Sequence, residues 1–349
     1  MLRFFLFFIF LFAISPSLAQ DTIIVKGKSP RICTEAKGTY FFTEKDLNIS
    51  DILNQQFKQK NEVKLDYITG VIWVKFIIKN TSTTTHFMIH ASDGHVSGFY
   101  LYKPTARGYV MTPPGLHHPE DGRDIYNRIP AFILDLNQGE TKTFYLKIHS
   151  TNEVINFSYF IQDTVSFIES IQLDYLIIGL YLGALLIIFT IQIFYYVSLK
   201  NSLFLIYAAY VLATLLVTLT IHGFAWLWIP DLDTSYHVAY FTFRFWPDIF
   251  LFFTMNLVML KQYYPKFTKL CYAFIVYHSL IVPVFEFTNA FDNRTLFMAQ
   301  WEVINWLIAL VLVLTTVIIS YKYNKYLFKY YLISYGILSL PLLYFCVYI

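Results

Sequence analysis

The sequence predicts an exported, all-β sandwich of jelly-roll type followed by an α-helical transmembrane bundle in which six helices are present. Three observations lead there. The chain opens on a short apolar stretch behind a single basic residue, residues 20–165 alternate apolar and polar side chains with period two, and from about Asp174 that alternation gives way to long apolar runs. Composition agrees with a membrane protein. The 349 residues are 56% hydrophobic and only 14% charged, with a mean hydropathy of +0.50, well outside the range of soluble domains. A net charge of +3 is too small to argue for nucleic acid as a partner. Cys33, Cys271 and Cys346 lie far apart and suggest neither a disulfide framework nor a metal set.

Residues 1–19 read as a signal peptide. Arg3 is the basic start, Phe4 to Ile14 the apolar core, and Ser17-Leu18-Ala19 supplies small residues for cleavage before Gln20. An uncleaved N-terminal helix is the alternative, disfavoured because the apolar core is short for a span.

Residues 20–165 form the extracytoplasmic β-domain. Ile72, Val74, Phe76 and Ile78 alternate with Trp73, Lys75 and Lys79; Phe144, Leu146 and Ile148 alternate with Tyr145, Lys147 and His149; Ile155, Phe157, Tyr159 and Ile161 continue the pattern. One apolar and one wet face are the mark of antiparallel strands over a core. The turn signals KNTSTTT at 79–85, SDGH at 92–95, TPPG at 112–115 and NQGE at 137–140 separate short strands at sandwich spacing. Residues 166–174 are expected to be a linker.

Six apolar runs follow, at 175–198, 203–226, 239–260, 270–287, 298–320 and 330–349. Each approaches the ~20 residues that a helix needs to cross a ~30 Å hydrocarbon core. With the β-domain exported, Lys200, then Lys261, Lys266 and Lys269, then Lys322, Lys325 and Lys329 fall in cytoplasmic turns, while the outer loops hold Arg294 as their basic residue. That is the positive-inside bias.

Two stretches of the bundle carry a family likeness. GLYLGALLIIFTIQIFYYVSLKNSLFLIYAAYVLATLL at 179–216, with HGF at 222–224, resembles the opening of the bacterial seven-transmembrane receptors with diverse intracellular signalling modules. Gly179, Gly183, Lys200, Leu205, Tyr207, Ala208, Tyr210 and Gly223 match, and Gln192 stands where asparagine is usual. The strands from Gly70 to Tyr102 and from Arg128 to Thr151, Trp73 and the Gly139-Glu140 turn included, are similar to that family's second type of extracellular domain. The resemblance implies a receptor in the inner membrane of a bacterial cell, with its N-domain outside. It also implies a carbohydrate or small-molecule ligand, no enzymatic activity of this chain and no cofactor. A homodimer and the lipid bilayer are the further expected partners. The family has a seventh helix and a cytoplasmic output domain. Neither is read in this sequence, which is therefore expected to be a truncated form of such a receptor, a complete six-helix protein being the alternative.

Candidate site residues fall in two groups. Trp73, Tyr100 and Tyr102 lie on strands, where aromatic faces can stack on a sugar ring; packing in a core is their other fate. Arg244 and Asp248 share one face of the third transmembrane run, four residues apart with Pro247 between them, and Glu302 lies in the fifth. Ionisable residues at membrane depth are costly, so these three are expected to line a polar pocket or switch in the outer half of the bundle. An intrahelical Arg244–Asp248 pair that merely satisfies itself is the alternative. His222, His237 and His278 read as interfacial or packed residues rather than ligands. His117, His118, Glu120, Asp121 and Asp124 read as a solvated loop, since their spacing fits no metal loop. No nucleophile, dinucleotide or metalloprotease motif is present. A sensor is the reading that these features favour, and a transporter or membrane enzyme with an accessory β-domain is the second.

Overall fold

A computed structural model describes residues 22–28, 31–33, 37–59, 70–91, 98–112, 125, 127–150, 158–224, 232–287, 294–326 and 328–329. The signal-peptide residues 1–19, the acidic and histidine-rich loop at 117–124, the side chain of His237 and the last apolar run at 330–349 lie outside the described residues.

Eleven described strands form two facing sheets. They are β1 (Thr22–Val25), β2 (Ile32–Cys33), β3 (Thr39–Thr43), β4 (Lys58–Gln59), β5 (Gly70–Asn80), β6 (His86–Ala91), β7 (Gly98–Thr105), β8 (Gly108–Thr112), β9 (Ala131–Asp135), β10 (Thr141–Ser150) and β11 (Tyr159–Asp163). The larger sheet runs β4-β3-β5-β10-β7-β8, with β1 joining β5 in parallel beyond the end of β3; the smaller runs β2-β11-β6-β9. The predicted alternation sets the core. Ile72, Val74, Phe76 and Ile78 of β5 and Phe144, Leu146 and Ile148 of β10 meet Phe87, Ile89, Phe132, Leu134 and Ile161 from the other sheet. The register places Phe76 opposite Phe144, and their rings stack 5.8 Å apart. The Tyr40 and Tyr159 hydroxyls hydrogen bond at 2.9 Å inside the core, and burial pushes the Tyr40 phenol up to about 12.

Both turn signals that fall on described residues are turns. Buried Asn80 donates to the Thr84 and Leu136 carbonyls and accepts from Ser82, which holds the 79–85 turn together. Gly139 takes φ +79° in NQGE, a conformation that a side chain at this position would strain.

The outer faces of the sheets are not wet, which corrects the one-sided pattern expected. On the larger sheet Val71, Trp73, Tyr102 and Tyr145 form a second apolar cluster, closed over by Phe57 and by Ile52 of α1 (Ile49–Ile52). On the smaller sheet Met88 and Ala131 are covered by Phe167 and Ile171. Those last two residues belong to α2 (Thr164–Leu199), so 166–174 is helix and not a linker. Asp163, the last residue of β11, caps α2 by accepting from the Ser166 amide at 3.0 Å, and the chain turns from strand to helix with no intervening segment.

At about 1.5 Å per residue the 36 residues of α2 reach about 54 Å, well beyond a ~30 Å hydrocarbon core. The surplus is the first turns, which pack on the β-domain. Lys200, in the left-handed region, and Asn201, whose side chain accepts from Leu203, make the tight turn into α3 (Ser202–Ile221). Then come α4 (Leu232–Leu257), α5 (Leu260–Tyr263), α6 (Pro265–Phe287) and α7 (Arg294–Ser320). Five of the six expected runs are thus helical, with shifted ends. Among the described residues three helical stretches are long and apolar enough to cross a membrane: Thr164–Leu199, Ser202–Ile221 and Trp301–Ser320. Helices α4 and α6 are long enough but less apolar, because they hold the polar groups described below. Polar side chains elsewhere satisfy themselves within their own helix, as Thr214, Thr218, Thr254 and Thr316 do by bonding the carbonyl four residues back.

Candidate functional site

The bundle assembles its polar site from three helices. Helices α3 and α4 run antiparallel in tight register: Tyr207 meets Phe253, Tyr210 meets Phe250, and Thr214 accepts from the Trp246 indole at 3.0 Å. The same register puts Asp248 level with residue 212, the middle of α3. Arg244 and Asp248 therefore sit near the centre of the bundle and not in its outer half, a correction that follows from α4 beginning at Leu232 rather than at 239.

At that depth Arg244 Nη1 meets Glu302 Oε1 of α7 at 2.6 Å. Asp248, 4% exposed, accepts through Oδ2 from His278 Nδ1 at 2.9 Å and from the Ser279 hydroxyl at 3.1 Å, both on α6. The expected trio is thus brought together, with interhelical partners. His278, read from sequence as a packed residue, is the direct partner of Asp248 and lies between the rings of Phe274 and Trp301. Pro247 offers no amide to the carbonyl of residue 243, so α4 is loosened between its two charged residues. Four ionisable groups joined across three helices form a device with more than one possible pairing, which can store two arrangements of α4, α6 and α7.

A second constellation joins the β-domain to the bundle, and the sequence reading missed it. Arg128, on the loop entering β9, is 5% exposed. Its Nη2 meets Asp174 Oδ2 of α2 at 3.1 Å, and its Nη1 donates to the His222 carbonyl at the end of α3, also at 3.1 Å. Tyr175 and Phe224 flank the guanidinium, with ring centres 5.8 and 5.9 Å from it. Behind it the Tyr175 hydroxyl donates to Asn127 Oδ1 at 3.0 Å, and the Arg128 amide donates to the same oxygen at 2.7 Å. A cation at a helix C-terminus also complements the helix dipole. One side chain therefore ties a β-domain loop to two helices. Its only signal in the sequence is an acid, Asp174, at the head of an apolar run.

The aromatic trio of the β-domain does not make an open site. Trp73 and Tyr102 pack 5.0 Å apart, but Trp73 is 0% exposed and Tyr102 8%. The space over Trp73 and Tyr100 is taken by the Lys147 ammonium, 5.7 and 5.8 Å from the two ring centres and paired with Asp46. Trp73 is a core residue of the second apolar cluster, and no sugar reaches its face in this arrangement. The alternation was right, but the segment from Glu44 to Phe57 covers that face.

The comparisons with known proteins fall on the same two halves. Residues 39–162 match the family described as 7TMR-DISM extracellular 2, and residues 174–349 match the one described as 7TM diverse intracellular signalling. The boundary between the two matches coincides with the Arg128–Asp174 contact. A comparison with curated proteins finds no match.

Proposed function

The chain belongs to the 7TM diverse intracellular signalling family and carries its 7TMR-DISM extracellular 2 domain, and on that premise we propose that it senses a carbohydrate or small molecule outside the cell and passes the event through the bundle to an intracellular output. It is a membrane receptor with an extracellular β-rich domain in front of helices that contact lipid. In our reading it sits as a multi-pass protein in the inner membrane of a bacterial cell, after removal of residues 1–19, with the lysine-bearing turns inside.

The observation that carries the reading is the Arg128 contact set. A ligand that moves the β9 loop moves a buried guanidinium held by α2 and by the end of α3, and differential affinity for two arrangements then shifts their populations. The strand-to-helix junction at Asp163 transmits the same displacement without slack. The central cluster of Arg244, Asp248, His278 and Glu302 is the bistable element that the shift would bias.

The test uses the full chain in lipid nanodiscs, screened by thermal shift against glycans and small periplasmic solutes. A stabilising ligand should change the reactivity of Lys200, Lys261 and Lys322 towards a membrane-impermeant amine reagent, and Arg128→Gln should keep the binding but abolish that change. Binding with no response at the lysine turns in the wild type would sink the proposal.

The second reading, a transporter with an accessory β-domain, is favoured by one observation: four ionisable groups do converge at mid-bundle. Solute uptake that is abolished by Asp248→Asn and untouched by Arg128→Gln would select it.

A further inference from the structure

A cavity of about 420 Å³ lies between α3, α4 and α6. Its volume falls within the ~300–1,000 Å³ of small-molecule sites and has room for on the order of ten heavy atoms. Its walls are apolar, built from Leu205 and Ala209 of α3, Phe245 and Phe252 of α4 and Ile275 of α6. Two polar groups interrupt them, Asp248 and Ser279. Leu205 and Ala209 are exposed on the membrane-facing side of α3, so the cavity opens sideways towards lipid.

The chemistry of the cavity is set by what Asp248 still lacks. Its Oδ2 holds the His278 and Ser279 donors, whereas its buried Oδ1 has no hydrogen-bond donor among the described residues. Arg244 and Glu302 offset each other. With His278 as a neutral imidazole donating its Nδ1–H, the cluster carries one negative charge in excess, deep in a medium of low dielectric. Such a charge is costly unless a cation reaches it. An alcohol or amide would supply a donor without the charge; a carboxylate or phosphate would add repulsion.

We propose that this cavity binds a small apolar molecule bearing a primary ammonium group, admitted from the lipid phase. The ammonium donates to Asp248 Oδ1 and to the Ser279 oxygen, and the apolar body lies along Phe245, Phe252 and Ile275. The site is independent of whatever the β-domain binds. Its occupant touches three helices at once, including the α3 whose far end holds Arg128, so it is placed to modulate the receptor from within the membrane.

The test titrates the full chain in nanodiscs with n-octylamine, n-octanol and octanoate, read by the fluorescence of the nearby tryptophans and corrected with empty nanodiscs. Octylamine should saturate at least ten-fold tighter than octanol, and octanoate should not bind. Asp248→Asn should bring octylamine to the level of octanol. Ala209→Trp, which fills the cavity from α3 without touching the charged cluster, should abolish saturation by both. Equal binding of octylamine and octanol by the wild type, or octylamine binding that survives Ala209→Trp, overturns the proposal. If Asp248→Asn fails to fold, Ser279→Ala serves in its place and should weaken octylamine several-fold more than octanol; an equal effect on the two also overturns it.

Discussion

Arg128→Ala is the most informative perturbation, because the side chain is buried while its acidic partner is not: the Arg128 side chain is 7% exposed and the Asp174 side chain 52%. Removing the guanidinium deletes a charge-assisted hydrogen bond to Asp174 and another to the His222 carbonyl, each worth roughly 1.5–3 kcal/mol gross. Asp174 recovers much of its share by rehydrating, which leaves about 0–1 kcal/mol there. The flanking contacts with Tyr175 and Phe224 add about 0.5–1 kcal/mol each. The attachment of the β9 loop to the helices should therefore weaken by about 2–4 kcal/mol, with most of the loss on the His222 and aromatic side. Native-state hydrogen exchange of the full chain in nanodiscs measures this locally. In Arg128→Ala the amides of 127–131 and of 220–223 should lose about 30- to 1,000-fold in protection, while those of β5 and β10 stay unchanged. Asp174→Asn should lose less than ten-fold. Equal losses in the two variants would show that the exposed ion pair carries the attachment, and the account of a buried clamp would fail.

Other consequences follow from the same geometry. Trp73→Ala should cost about 3–5 kcal/mol of β-domain stability in a denaturant melt, as for a large core residue; a folded domain that has lost only ligand affinity would restore the surface-site reading. His90 is buried beside Phe160 and Phe167, and burial lowers its imidazole to about 4 from the ordinary 6.5. Between those values the unfolded chain binds the extra proton. Stability is therefore complete above about pH 6.5, falls as pH drops towards 4 by up to about 3 kcal/mol, and His90→Phe should flatten that slope in thermal melts. Arg244→Ala strands the buried Glu302 and should cost about 3–5 kcal/mol in the bundle, whereas Arg244→Ala with Glu302→Ala should recover most of it; additive losses would deny the pairing. An isolated β-domain ending at residue 165 leaves Met88 and Ala131 uncovered and should melt below one ending at 174 that keeps Phe167 and Ile171, worth about 2–3 kcal/mol for the Phe167 ring alone.

Local pattern carried most of the architecture. Period-two alternation in β5 and β10 and the NQGE turn are properties of adjacent residues, because a strand must send successive side chains to opposite sides. The apolar runs are legible for a similar reason: a helix in lipid has no water to satisfy its backbone, so it declares itself by length and composition. The presence of Arg244, Asp248 and Glu302 at membrane depth was legible too, since the cost of burying charge makes such residues conspicuous.

What each charge meets was decided only by the tertiary structure. Asp248 finds His278 thirty residues away, and Arg128 finds His222 ninety-four residues away. No periodicity encodes such pairings, because they depend on which helix faces lie against one another once the chain has packed. The same holds for Trp73, whose strand position was plain from its neighbours but whose burial depends on a remote segment crossing the sheet, and for the stretch 166–174, which becomes helix because its apolar side chains find the outer face of a sheet built earlier in the chain. Short-range sterics and solvation fix the elements; complementarity between surfaces distant in the chain fixes the site.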